Sequence, residues 1–293
     1  SISMTGAVQN ATLPHLYQKR SRQNNTMATE RKRTKRTTGK PAGKKENTTR
    51  TNPYDDDRFL SEYSGMSRSV NGLSGAGEWH VLEKMLPDFC GKRVLDLGCG
   101  YGWHCRYAIE HGAIACTGID TSEKMLKQAH RQNASFWTEY RCMAIEDFEF
   151  EPETYDVVIS SLAFHYIESF GDLYTRIYRS LTPGGAFVFS IEHPVYTASG
   201  SQQWITDENG KKLHWPVDRY FDEGKRDAIF LGQHVTKYHR TLTTVINGVI
   251  AAGFTLTGLA EPEPEKALLE TVPGMIDETR RPAMLIVSAI KNR

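Results

Sequence analysis

No stretch of this 293-residue chain is apolar for the roughly 18 positions that a membrane-crossing helix needs. The longest apolar runs, such as Tyr155–Ser160 and Ala186–Ile191, have strand length. Cysteine is scarce. Cys90, Cys99, Cys105, Cys116 and Cys142 form an odd set with no Cys-x-x-Cys pair, which excludes a zinc ribbon and a disulfide framework. Such usage fits a reduced, cytoplasmic compartment. No metal site is expected: His104 and His111 stand seven positions apart without an accompanying carboxylate pair. Acids are nearly missing from residues 1–50, where 2 Asp and Glu face 12 Lys and Arg, a balance of +10 in a chain of net charge +1. The remainder therefore carries −9, a poor general surface for a polyanion. A Gly-x-Gly-x-x-Gly dinucleotide loop is absent because Trp103 fills the third glycine slot, and no Gly-Lys-Ser/Thr marks a phosphate-cradling loop.

What is present falls into two parts. Residues 1–52 are rich in Thr, Asn, Lys and Arg, lack apolar periodicity, and read as a disordered basic tail. Its run Arg31–Arg36 is a nuclear-signal or nucleic-acid type of sequence, its acid-free start faintly matches an organellar segment, and Met27 reads as a candidate start. The plain reading is a solvated tail. Residues 53–293 read as one domain, in which strand-like and helix-like stretches alternate: strands at 93–97, 115–119, 140–143, 155–160 and 186–191, with helices at 78–86, 103–110, 122–132 and 170–181. That alternation predicts an α/β fold with a parallel sheet covered on both faces. Residues 192–240, with Trp204, Trp215, Pro194 and Pro216, break the rhythm and read as an insertion after the fifth strand. A helix at 241–252 and strands at 254–259 and 283–290 complete the domain.

The chemistry is carried by Val94-Leu95-Asp96-Leu97-Gly98-Cys99-Gly100-Tyr101-Gly102-Trp103, a strand running through glycines into a helix. Glycine permits the tight turn and a close backbone approach, and a helix start offers unpaired N–H groups. Gly118-Ile119-Asp120-Thr121-Ser122 closes the second strand on an acid, Tyr155–Ser161 forms the fourth strand, and Leu181-Thr182-Pro183-Gly184-Gly185 leads into the fifth. In this order the four segments resemble the motifs of class I, Rossmann-like methyltransferases. Phrases such as Glu192-His193-Pro194 and Trp215-Pro216-Val217-Asp218 resemble a bacterial group of small-molecule type. The resemblance implies a seven-stranded Rossmann-like sheet with helices on both faces and S-adenosylmethionine as cofactor. It further implies cofactor contacts from Asp96, Gly98, Gly100, Gly102 and Ser160, and from Asp120 to the ribose hydroxyls. After the third strand the expected acid is replaced by Ala144, leaving the Ile145 backbone and Glu146 or Asp147 for the adenine.

Tyr63, Arg68 and Trp79 read as parts of an N-terminal lid in which Arg68 is placed to meet the cofactor carboxylate, with surface pairing as the plain alternative. His165 follows the fourth strand and His193 the fifth, where a general base belongs. Packing and turn formation are their plain alternatives. Trp204, Trp215, Tyr220 and Phe221 are expected to wall a pocket or close a local mini-core. The resulting expectation is methyl transfer to O, N or C of a small-molecule acceptor. The rival readings are RNA or protein methylation through the tail and a non-catalytic partner protein.

Overall fold

The structure, a computed structural model, describes residues 52–170 and 172–293. The basic tail lies outside the described residues, save Asn52. Asn52 accepts the Tyr54 N–H and starts a short turn, and Asp56 accepts the Phe59 N–H to cap helix α1 (Asp57–Ser64). Helices α2 (Ser67–Val70) and α3 (Trp79–Met85) follow. The chain then alternates through β1 (Arg93–Leu97), α4 (Trp103–Glu110), β2 (Ala115–Asp120), α5 (Glu123–Gln132), β3 (Thr138–Cys142), β4 (Tyr155–Ser161), α6 (Leu173–Ser180) and β5 (Leu181–Glu192). Strand β5 begins earlier than its apolar run suggests. The Thr182–Gly185 turn bulges out of its pairing, so that Tyr155 opposes Leu181 while Val157 opposes Ala186.

Beyond β5 lie α7 (Pro194–Ala198), the hairpin of β6 (Ile205–Thr206) and β7 (Lys212–His214), and the hairpin of β8 (Gly224–Phe230) and β9 (Gln233–His239). Then come α8 (Leu242–Ala251), β10 (Phe254–Ala260), α9 (Lys266–Thr271) and β11 (Met284–Lys291). One seven-stranded sheet has the order β10-β11-β5-β4-β1-β2-β3. Strands β1 to β5 pair in parallel, whereas β11 runs antiparallel to both β5 and β10. The order reverses between β1 and β4, and the crevice at such a reversal is where open α/β sheets bind ligands.

Both faces are covered. On one, α6 and α8 bring Leu173, Tyr174, Ile177, Val245 and Val249 against Phe187 and Phe189. On the other, α4 and α5 bring Cys105, Ala108 and Leu126 against Val94, Val157 and Ile159. The two hairpins were not legible in the sequence, and they divide the work of the insertion. Tyr196 stacks on Trp215 at 4.7 Å, Trp204 meets Trp215 edge-on at 5.3 Å, and the Arg281 guanidinium lies 4.2 Å from the Trp215 ring centre. These tryptophans form a local mini-core tied to the chain beyond β10. Phe221 is 90% exposed and walls nothing. The insertion rings that turn toward the carboxyl ends of the sheet are Phe230 and Tyr238.

Candidate active site

The glycine-rich turn leaves β1 with Gly98, Gly100 and Gly102 all at positive φ. A Cβ on Gly98 would stand 2.4 Å from the Cβ of Ala163, and one on Gly102 would stand 2.2 Å from the Tyr140 hydroxyl. Protein packing therefore already demands both glycines. Gly102 opens α4 without any side-chain cap, so the first N–H groups of this helix lack intrahelical partners and its positive end faces outward. Beneath it, Asp96 is buried. Its Oδ2 accepts the Cys105 thiol at 3.4 Å, and its Oδ1 has no partner among the described residues. Burial, reinforced by Asp120 and only partly offset by Cys105, pushes the Asp96 pKa up to about 7. An orphaned acid oxygen beside an uncapped helix start suits the two ends of an amino acid: its ammonium and its carboxylate.

Asp120 ends β2. Its Oδ2 accepts the Gly100 N–H and its Oδ1 the Ser122 N–H, both at 2.9 Å, which leaves acceptor capacity on each oxygen for a pair of hydroxyls. Burial raises its pKa against those backbone hydrogen bonds. The N-terminal segment straps over this point. The Ser122 hydroxyl donates to Asp55 Oδ1 at 2.6 Å, and the Tyr54 hydroxyl bonds the Tyr166 hydroxyl at 3.0 Å. Rings continue from Tyr54 to Tyr63 and on to Tyr101 in the glycine turn. Phe59 packs edge-on against Phe230, and Gln233 donates to Asp56 Oδ1, so the strap and the β8–β9 hairpin meet. The resulting roof spans the carboxyl ends of β2, β4 and β5.

The other expected cofactor residues take different places. Ile145 is buried in the core, with its Cδ1 3.9 Å from where a Gly98 side chain would begin. The Glu146 side chain is exposed, and its carbonyl accepts from Arg176. Ser160 donates to the Leu97 carbonyl at 2.8 Å and ties β4 to β1. Arg68 places Nη2 on both oxygens of the buried Glu78, yet interacts electrostatically with Tyr54, Tyr63, Tyr166 and His165. It stands between the glycine turn and the end of β4, already paired.

At the acceptor side, Leu162 adopts φ of 53°, a sparsely populated region for a bulky residue, and the chain turns over the end of β5 through Phe164–Tyr166. His165 is 5% exposed, and burial, against the pull of Glu192 and with the push of Lys237, Arg240 and Arg68, lowers its pKa to about 4. Its Nδ1 accepts the Glu192 N–H at 3.4 Å, so the neutral ring carries its proton on Nε2. In this tautomer His165 presents an N–H on Nε2. His193 is engaged in the turn after β5. Its Nδ1 accepts the Val195 N–H and caps α7, while its Nε2 lies 2.8 Å from Glu261 Oε1. That second contact is a charge contact rather than an aligned hydrogen bond. Burial lowers the His193 pKa against Glu261.

Two residues that the sequence did not single out, Lys237 and Gln202, complete this side around Glu192. Lys237 of β9 is 2% exposed, and its Nζ donates to Glu192 Oε1 at 2.5 Å and to Gln202 Oε1 at 3.0 Å. Gln202 Nε2 in turn donates to Glu192 Oε2 at 2.7 Å. The ammonium also lies 5.8 Å from the Tyr166 ring centre and 5.1 Å from that of Phe230. Burial would raise the Glu192 pKa, but His165, Lys237 and Gln202 outweigh it and hold the carboxylate ionised. In a strand of alternating character such as Val235–His239 a lysine reads as a solvated side chain; only its spatial neighbours reveal otherwise. Among the described residues no group of His, Cys, Asp and Glu is arranged to hold a metal ion, and no helix is long and apolar enough to cross a membrane.

Residues 95–189 match the family described as methyltransferase domain. The crystal structure of a Listeria monocytogenes protein assigned as an S-adenosylmethionine-dependent methyltransferase is 56% identical, superposes with a TM-score of 0.72, and is covered in full by 76% of this chain. A Mesorhizobium loti S-adenosylmethionine-dependent methyltransferase is 41% identical with a TM-score of 0.69, again covered in full, by 75% of this chain. An uncharacterized Haemophilus influenzae protein is 34% identical over 250 residues, 81% of this chain and 96% of its own length. With the glycine turn, the acid-tipped second strand and the seven-stranded order in place, the chain belongs to the S-adenosylmethionine-dependent methyltransferases.

Proposed function

We propose that the chain transfers the methyl group to a small molecule held under the strap and the β8–β9 hairpin, at the ends of β4 and β5. The observation that carries this reading is the roof itself. Tyr54, Tyr166, Phe59 and Phe230 close over these strand ends, a geometry suited to enclosing a metabolite rather than a polymer. The acidic body outside the tail points the same way.

When bound, the cofactor supplies a methyl group already activated on a sulfonium, so the protein's task is alignment and exclusion of water. In this reading Asp96 Oδ1 and the start of α4 hold the ammonium and carboxylate ends, with Gly98, Gly100 and Gly102 shaping the turn. Asp120 takes the ribose hydroxyls. Ile145 floors the adenine side with Glu146 at its rim, Arg68 stands near the carboxylate, and Ser160 fixes β4 against β1. His165 offers its Nε2 proton to the acceptor, whereas His193 supports the turn after β5.

Calorimetric titration of S-adenosylmethionine and S-adenosylhomocysteine into the full chain tests the reading. Micromolar affinity for both is expected, weakened at least about 10-fold in Asp120→Ala by the loss of charge-assisted hydrogen bonds. If neither compound binds the unmutated protein, the reading fails.

A further inference from the structure

Counting protons at the acceptor side shows an imbalance. Lys237 has three N–H bonds and spends two, on Glu192 and Gln202. The third finds no acceptor among the described residues. His165 carries a proton on Nε2 that likewise finds none. Tyr54 and Tyr166 share one hydrogen bond between two hydroxyls, leaving one O–H unspent. All three unspent donors belong to one neighbourhood. The Tyr166 ring centre lies 4.4 Å from that of His165 and 5.8 Å from Lys237 Nζ. The nearest carboxylate, Glu192, accepts from Lys237 on one oxygen and from Gln202 on the other, and these partners with His165 hold it below the usual carboxylate range, which makes it a poor proton acceptor. This neighbourhood therefore offers protons and holds its carboxylate as a weak base.

An alcohol or amine acceptor must lose a proton during methylation, and something must receive it. A carboxylate has no proton to lose. A buried lysine held in place by a carboxylate and an amide, with one N–H to spare, is also a natural anchor for an anionic oxygen. Resting on the small-molecule reading above, the geometry points to a carboxylic acid as the acceptor, bound as its carboxylate by Lys237, His165 and the Tyr54–Tyr166 hydroxyl pair, and released as a methyl ester. In the step, one carboxylate oxygen forms the new O–C bond while the C–S bond breaks and its electron pair stays on sulfur. The sulfonium and carboxylate charges cancel, and no proton is released. Lys237 holds the oxygen that does not react.

The test begins with the full chain saturated with S-adenosylhomocysteine, into which octanoate and phenylacetate are titrated beside octylamine, octanol and phenethyl alcohol. At least one carboxylate is expected to bind, while the amine and the alcohols do not. Lys237→Met alone leaves Glu192 buried without its cation, so the informative variant is Lys237→Met with Glu192→Gln, which removes both charges and keeps the volume. It should bind S-adenosylhomocysteine as the parent does and carboxylates roughly 10- to 100-fold more weakly, the loss expected for a charged hydrogen bond. Binding of S-adenosylhomocysteine without either carboxylate overturns the inference and leaves the cofactor reading intact. So does preference for the amine or an alcohol, or undiminished carboxylate affinity in the double variant. Failure of S-adenosylhomocysteine itself removes both readings.

Discussion

Gly118 sits in the middle of β2, and its backbone is not in the left-handed region, so alanine is conformationally permitted there. Space is not. A Cβ at this position would stand 2.9 Å from Cys105 Sγ, 2.9 Å from Tyr140 Cδ1 and 3.0 Å from Cys99 Sγ. None of these is the end of a flexible chain: Cys105 and Cys99 are buried, and Tyr140 is held by its hydroxyl to the Asn133 carbonyl. Overpacking of this kind costs about 1–3 kcal/mol. For a domain of this size each kcal/mol moves Tm by roughly 2–4 °C. Gly118→Ala should therefore lower Tm by about 2–12 °C in differential scanning calorimetry, and, because Cys99 belongs to the glycine turn, it should also weaken S-adenosylmethionine binding. Adding Cys105→Ala removes one of the two closest atoms and should restore part of the loss, a non-additive result. A single variant melting within 1 °C of the parent would refute this account of why glycine stands there.

Two further perturbations probe other parts of the molecule. Asp96 keeps its proton to about pH 7 in the folded chain, whereas an unfolded aspartate releases it near 4. Its contribution is thus whole below about pH 4 and gone by about pH 7, a change on the order of 4 kcal/mol. The Tm of Asp96→Asn relative to the parent should climb from pH 5 to pH 7 and stay level above; a flat difference across pH 5–8 in the ligand-free protein would contradict the buried acid. Arg281 is nearly enclosed by Tyr196, Trp204 and Trp215 and holds Glu278. Arg281→Ala should destabilise by about 1–3 kcal/mol through lost stacking and ion pairing while leaving cofactor affinity unchanged, and a selective loss of affinity would place this stack in the site instead.

The glycine turn, Asp120 and the alternation of strands were legible because each is a local pattern: a strand, a turn and a helix start within about ten residues. Helix starts were legible for the same reason, as at Ser122, whose side chain accepts the Met125 N–H. The two hairpins of the insertion were not, since β6 and β7 span only 2 and 3 residues and the strands of the other hairpin sit among turn residues in a stretch that breaks the strand–helix rhythm. Lys237 was invisible because its significance lies in Glu192, 45 positions earlier, and in Tyr166 on a different element. The histidines were legible as positions only. Their positions after β4 and β5 were correct, but position does not reveal which ring nitrogen a backbone N–H will occupy. Of the two readings of the insertion's tryptophans, a pocket wall or a local mini-core, Trp204 and Trp215 form the mini-core, around an arginine far along the chain.

The pairing of β5 with β11 carries a consequence for how the protein is made. Ala186 pairs with Ile290 and Ile191 with Leu285, about a hundred residues apart in sequence. During synthesis at ~5–20 residues per second, β5 emerges roughly 5–20 s before its neighbour exists. In that interval one side of β5, the strand that carries Phe187 and Phe189, is an open, strongly apolar edge, a template for pairing with another nascent chain. A chaperone that shields this edge, or a slower concentration-dependent yield at high expression, belongs to the life of the ribosome-bound chain rather than to the finished enzyme.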